Sequence, residues 1–322
     1  MSYSSGGTIA ATDYNNLAWG GTQGTYTSSP NNVAYVMGVG SGQFGYGQDL
    51  SLINTVSTAA TVTAVQWAGL FLLTNRALGH QGGTQIAAGN LNATSGQTIT
   101  YFSNVATAVT SINTNKASYG SQGTTITGSN FTASWTNAAT TSALVFGVTR
   151  TVTFASGDAA RYFFNAGGQI NLVMSGTNND GSNRSGDVVT LLGYVGTAQG
   201  LKATTFGGRT GTGGTGGTVN TSNGYYNLPN AIGSQVNLIQ NIYSTASTYN
   251  GDYIYVNAYN STTNASGHGD NGVTINLSIG VYLAAKSLSF NESVNVTVTH
   301  RVDIIPPEST YLTNSWGTPT IA

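Results

Sequence analysis

The chain offers few residues that could do chemistry, and their spacing brings none of them together locally. Its three histidines stand at 80, 268 and 300, without the H-E-x-x-H or H-x-H pattern by which two imidazoles share a metal. Ten acidic residues are scattered, and no two sit at a spacing that suggests a general acid beside a general base. Glycosidase-type carboxylates need not be close in sequence, so a pair assembled by the fold stays open. No G-x-S-x-G elbow presents a serine. With no cysteine there is no thiolate, disulfide or Cys-bound metal. Gly211 to Gly216 spell G-x-G-x-x-G, but a Gly/Thr tract matches by composition, with no clear strand before it, no helix after it and no G-K-[ST]. Gly267-His268-Gly269-Asp270-Asn271-Gly272 reads as a calcium turn or a hairpin tip. Calcium wants about six or more oxygens and Asp270 is the one local acid, whereas Asn-Gly favours hairpin dihedrals, so a hairpin tip is expected. Arg161 reads as structural, stacking on Tyr162 or pairing with Asp158 three residues earlier. Arg301 and Asp303 share a strand face and should meet cross-strand partners. The expectation is no catalytic, cofactor-binding or metal residue, and no enzyme.

The elements that would position these residues centre on 141–176. Alternation through Ala143 to Val148, continued by Val152 and Phe154, predicts a strand. Ser156 or Asp158 can cap a short helix near 158–166, and Gly167-Gly168 can stop it. Gln169 to Met174 return as a strand with Ile170, Leu172 and Met174 on one face. Upstream, Trp67, Leu70, Phe71, Ala77 and Leu78 recur near helical spacing and predict a helix near 62–79, with Gly79 as stop and His80 at its negative end. Leu72 and Leu73 widen its apolar face, so it either inserts between sheets or packs on copies of itself; packing on its own domain is the plainer alternative. Short strands are predicted at 97–102, 105–112 and 124–127, with another possible at 132–135. Val188 to Val195 is a strand or a helical turn. Downstream, Tyr253 to Ala258, Val273 to Leu283 and Val294 to Val298 alternate as strands, the last ended by Pro306-Pro307.

These elements divide the chain into an N-terminal arm (1–57), a helix plus central β domain (58–176), a Gly/Ser/Thr/Asn-rich loop or linker (177–224) and a C-terminal sandwich-like domain with a tail (225–322). The arm is expected to hold a helical turn at Asp13 to Trp19 and a glycine-rich irregular stretch, Val39 to Gln48. The fold class is all-β, mainly antiparallel, with one notable helix and one short one.

Composition bounds the function. Only 6% of residues are charged, and net charge is −1, against roughly 25% charged in an average soluble protein. Scarce Glu, Lys and Arg argue against an α protein, and 10% aromatics argue against disorder. Nine scattered Lys and Arg form no basic stripe, so nucleic acid is not an expected partner. No apolar run approaches a membrane span, and the N-terminus lacks a secretory pattern, so synthesis in a cytoplasm without membrane insertion is expected. A surface of Thr, Ser, Asn and Gly is cheap to desolvate, which suits permanent assembly or carbohydrate contact.

Four stretches carry a resemblance. DAARYFFNAGGQINLVMSG, TDYNNLAWG with GVGSGQFGYGQ, WAGLFLLTNRALGHQGG, and FNESVNVTVTHRVDIIPPESTYLTNSWGTPTIA resemble segments of virion structural proteins of tailed bacteriophages, especially cyanophages. The resemblance covers both ends and the middle, and its motifs are structural patterns without an active-site signature. It implies a virion component, placed in the tail as fibre, baseplate or neck protein and assembled in the host cytoplasm. It also implies an N-terminal arm that binds other subunits. Partners would be copies of itself, with a trimer favoured, and other virion proteins. The alternatives are a receptor-binding adhesin that grips host-surface glycan through Tyr and Trp, and a head decoration protein.

Overall fold

A computed structural model describes residues 10–24, 31–87, 102–195, 199–207, 209, 211, 213–229, 235–261 and 272–322. The chain opens with helices α1 (Ala11–Trp19), α2 (Val33–Met37), α3 (Ala64–His80) and α4 (Phe102–Thr114). Strands β1 (Phe131–Thr140) and β2 (Leu144–Thr153), helix α5 (Gly157–Asn165), strand β3 (Gln169–Asn178) and helix α6 (Asn183–Val195) follow. Then come β4 (Gln199–Leu201), β5 (Thr218–Val219), β6 (Val236–Tyr243), β7 (Tyr253–Asn260), β8 (Thr274–Leu283), β9 (Glu292–Ile305) and β10 (Thr320–Ile321). The strands form two antiparallel sheets, one in the order β1-β9-β3-β4 and the other β10-β2-β8-β7-β6-β5.

The 141–176 stretch organises this fold because its two strands enter different sheets. β2 pairs with β8 from Leu144↔Leu283 to Thr153↔Thr274, and β3 pairs with β9 from Gln169↔Ile305 to Asn178↔Val296. α5 carries the chain across. Ser156 caps it by accepting the Ala159 amide at 3.0 Å, and Gly167, at φ +84°, turns the chain out after it. Alternation then buries Ile170, Leu172 and Met174 on the inner face of β3. The sheets face each other where Trp135 stacks on Phe146, with ring centroids 5.6 Å apart.

α6 lies against β3 and β9 of one sheet and β6 and β7 of the other. It buries Val188, Leu191, Leu192 and Val195, a gain of about 1.5–3 kcal/mol for each fully buried side chain. Gly176 makes room for it, since a Cβ there would stand 2.7 Å from Leu192 Cδ1. α1, α2, α3 and α4 form a separate helical layer. α3 starts with a capping box in which Thr63 and Gln66 satisfy each other's backbone amides. It buries Trp67, Leu70, Phe71, Leu73, Ala77 and Leu78, and one hydrophobic core runs from Ala11 to Trp316.

The structure corrects several expectations. The fold is β-rich, but α2 and α4 are helices beyond those expected, α1 is longer than the helical turn expected at Asp13 to Trp19, and α6 is a full helix where Val188 to Val195 read as a strand or a helical turn. Scarce charge does not preclude them, because helix stability in a folded chain comes mainly from packing an apolar face. Residues 105–112 belong to α4, where Val105, Val109 and Ile112 are buried at helical rather than alternating spacing. At 124–127 only an isolated bridge, Ile126↔Ile304, is present. The 177–224 stretch carries α6, a core element. Strands from the central and C-terminal parts share both sheets, with β9 lying between β1 and β3. The described part of the N-terminal segment folds back on its own chain, burying Tyr14, Ala18, Trp19, Val36 and Met37. α3 packs in the helical layer, and it is α6 that sits between sheets. The strand predicted at 97–102 lies outside the described residues, except Phe102, which opens α4.

Candidate functional site

A cavity of about 420 Å³ opens beside the first residues of β9. Three distant parts of the sequence line it: Asn183, Asp187, Thr190 and Tyr194 of α6, residues 244–246, 248 and 249 between β6 and β7, and Phe290 with Glu292 at the start of β9. α6 positions Asp187 because its apolar residues are gripped between the sheets. The β6–β7 connection is fixed from below by Asp252, which accepts the Ala284 amide at 2.8 Å and the Lys286 ammonium at 2.9 Å. Lys286 also donates to the Thr248 carbonyl at 3.2 Å.

Two carboxyl groups reach the cavity. One Asp187 oxygen accepts the Ser244 hydroxyl at 2.5 Å, while Oδ2 is buried with no hydrogen-bond partner. Asp187 is only 6% exposed. Burial pushes its carboxyl up to about 6; Asp252 adds to that rise, and the Ser244 hydroxyl and Lys286 oppose it. Glu292 Oε2 accepts the Tyr249 hydroxyl at 2.6 Å and the Arg184 backbone amide at 2.9 Å. Burial, and then the bond to Glu292, raise the Tyr249 phenol above its ordinary value. Burial likewise raises Asp252, against the pull of Lys286 and the Ala284 amide. The basic groups nearby are already engaged: Lys286 holds Asp252, and the Arg184 guanidinium donates to the carbonyls of Thr140, Ser142 and Ala284. The cavity therefore presents acceptors and negative charge, which suits a ligand group rich in N–H donors.

The residues singled out in the sequence lie elsewhere and have structural partners. Arg161 is fully buried, pairs with Asp158 at 3.0 Å and lies 4.8 Å from the Tyr162 ring centroid, as expected from sequence. It also donates to the carbonyls of Val39 and Phe44, pinning the glycine-rich stretch that Asn165 holds through Gly42, Phe44 and Gly45. His80 ends α3 and meets Glu308 at 3.0 Å inside the core. His300 Nδ1 accepts from Arg150 Nε at 2.9 Å; burial and the Arg150 charge lower the imidazole to about 4, so it is neutral at pH 7. Arg301 and Asp303 pair with each other at 2.9 Å, and Asp303 also accepts the Gly128 amide. The turn at 267–272 lies outside the described residues, except Gly272. Among the described residues no group of three or more His, Asp or Glu is placed to hold a metal, and no helix is long and apolar enough to cross a membrane.

No protein-family model, curated protein or solved structure matches the chain. The cavity residues escaped the sequence reading for a physical reason. Asp187 stands in the stretch read as a linker, and Asp252 and Glu292 flank different strands, so no spacing joins them. The usable signal was the run of Val188, Leu191, Leu192 and Val195, whose helical recurrence makes Asp187 a helix residue next to the core.

Proposed function

We propose that this protein is a structural subunit of a tailed-bacteriophage particle, placed in its tail as a fibre, baseplate or neck component, and that it works by packing against copies of itself and other virion proteins. The observation that carries the assembly part is the edge strand β1. It runs ten residues, borders its sheet, and makes no backbone bond on its outer side among the described residues. Its sequence, FTASWTNAAT, has no Lys, Pro or other charge, the usual guards against edge-to-edge pairing. An edge of that length, interrupted only by a register shift between Asn137 and Thr140, fits a subunit that is covered after assembly. The four stretches resembling virion proteins support the particle assignment. The test is light scattering coupled to size exclusion, with Ser134→Lys as the edge-blocking variant. Stable oligomers of the wild type that the variant weakens are expected. A wild type that stays monomeric at all concentrations refutes self-assembly, and antibody labelling of particles checks the tail location.

One observation favours a second reading, glycan binding. On the outer face of the six-stranded sheet, Tyr253 stacks on Tyr282 at 4.9 Å and meets Tyr243 edge-on at 5.2 Å, with Tyr255 beside it at 6.3 Å. All four are partly exposed. Such a platform suits the apolar face of a sugar ring, and loss of glycan-array signal in Tyr253→Ala would identify it.

A further inference from the structure

We propose that the cavity bearing Asp187 and Glu292 receives Arg76 from a second copy of this chain, so that subunits join head to tail. This rests on the self-assembly reading above and names a contact for it. The argument begins with the cations. All nine Lys and Arg fall within the described residues. Eight have a hydrogen bond, an ion pair or an aromatic ring contact; Arg76 has none. It stands partly exposed on α3, one turn beyond Leu72 and on the stripe that begins at Val65, which is 71% exposed. This is the apolar width of α3 that its own core does not use.

The cavity is the complement. Asp187 is more than nine-tenths buried, lines the cavity and leaves Oδ2 without a partner. Glu292 shares the wall, and the Lys286 and Arg184 side chains behind them are taken up by Asp252 and by main-chain carbonyls. A guanidinium supplies the several fixed N–H donors that two carboxylates can accept. The rim continues the match, because Phe290, 41% exposed, lines the cavity and Leu288, 85% exposed, precedes it in the same short turn. A helix stripe of Val65, Leu72 and Arg76 thus meets Phe290, the turn that carries it and a pair of acids.

The two surfaces cannot meet within one chain. Glu292 starts β9, whereas the C-terminal turn of α3 is tied by His80 to Glu308, just past the strand's other end. Fourteen residues of strand separate them, roughly 40 Å at the rise of a β-strand. The contact is therefore heterologous, and repetition closes a ring or extends a filament. A trimer is one such ring.

Sedimentation velocity on the full chain, over a wide concentration range, tests this. Arg76→Glu and the double variant Asp187→Asn/Glu292→Gln should each raise the dissociation constant at least tenfold, with unchanged circular dichroism and, for Arg76→Glu, unchanged thermal unfolding; Arg76→Gln is the milder control. Mixing the two variants should restore a 1:1 dimer, because one keeps its cavity and the other its arginine. Wild-type association should weaken below pH 6, where Asp187 is protonated; the groups facing it are Glu292, Asp252, Tyr249, Lys286 and Ser244. If Arg76→Glu associates like the wild type, or the mixture fails to pair, the contact is wrong while self-assembly stands. If the wild type is monomeric throughout, both fall.

Discussion

Replacing Asp187 by Asn should stabilise the protein at alkaline pH and change little in acid. The folded carboxyl titrates near 6 because it is buried, against an ordinary 3.8. A difference of about two on the pKa scale is worth roughly 3 kcal/mol. The sign follows from proton linkage: the folded state holds the proton more tightly, so its advantage is full below pH 3.8 and is lost as pH rises through 6. Asn keeps an oxygen for the Ser244 hydroxyl and has no charge to bury, so it escapes that loss. The gap between Asp187→Asn and wild type should open from near zero at about pH 4 to about 3 kcal/mol at about pH 8. At roughly 2 °C per kcal/mol for a chain of this size, that is about 6 °C in Tm. The assay is thermal or urea unfolding of both proteins across this range, at a dilution where each is monomeric. A gap that does not vary with pH, or a variant less stable at alkaline pH, would refute the assignment of a buried, uncompensated carboxyl.

Arg161→Met should cost about 3–5 kcal/mol, because it removes the guanidinium bonds to the Val39 and Phe44 carbonyls, of which Phe44 keeps only Asn165, and leaves Asp158 without its partner; hydrogen exchange should quicken across 38–48 before it does elsewhere. Glu308→Gln should cost about 1–3 kcal/mol at neutral pH. Burial works to raise the Glu308 carboxyl, but His80 and the amides of Tyr311 and Thr310 outweigh it and hold it below its usual value. Its stabilisation is present above pH 4.5 and fades as pH falls through the lowered value, so acid titration of Tm should show the gap closing. Gly176→Val should cost about 1–3 kcal/mol by overpacking, because its side chain enters the space of Leu192 and Val189; Gly176→Ala should show the smaller effect in the same unfolding assay.

Much of the scaffold was legible where local chemistry and tertiary packing agree. The α3 register, the Ser156 cap, the Gly167 stop and the inward faces of β3, β8 and β9 all follow from spacing. Arg161 was readable because both its sequence-local partners, Asp158 and Tyr162, lie within one turn of α5. The misreadings share a cause. α4 and α6 are built from Val, Thr, Asn and Gly, whose intrinsic preferences do not favour helix, and tertiary burial decides for them. Sheet partnership was equally hidden, since β9 pairing with β1 and β3 is a long-range choice with no local signal. The cavity inherits both difficulties: it needs α6 to be a helix and β9 to start beside it.

The way the chain uses its few charges bears on what its surface can do. Arg161, Arg184 and Arg209 are all buried, and their main acceptors are main-chain carbonyls: 39 and 44 for the first, 140, 142 and 284 for the second, 200, 220 and 223 for the third. A buried charge is costly unless its hydrogen bonds are made, and a guanidinium fork can satisfy several carbonyls that no ladder reaches. Each arginine thereby closes a loop that a chain so rich in glycine would otherwise leave mobile. Burial lowers Arg209 to about 10, which still leaves it charged at neutral pH, so the clamps hold. With the arginines spent inside, the exterior keeps little charge to repel a neighbour or bind a shell of water tightly. The uncharged β1 edge and the apolar α3 stripe then become the cheapest surfaces to cover, and in the head-to-tail contact proposed above Arg76 would give the contact its direction.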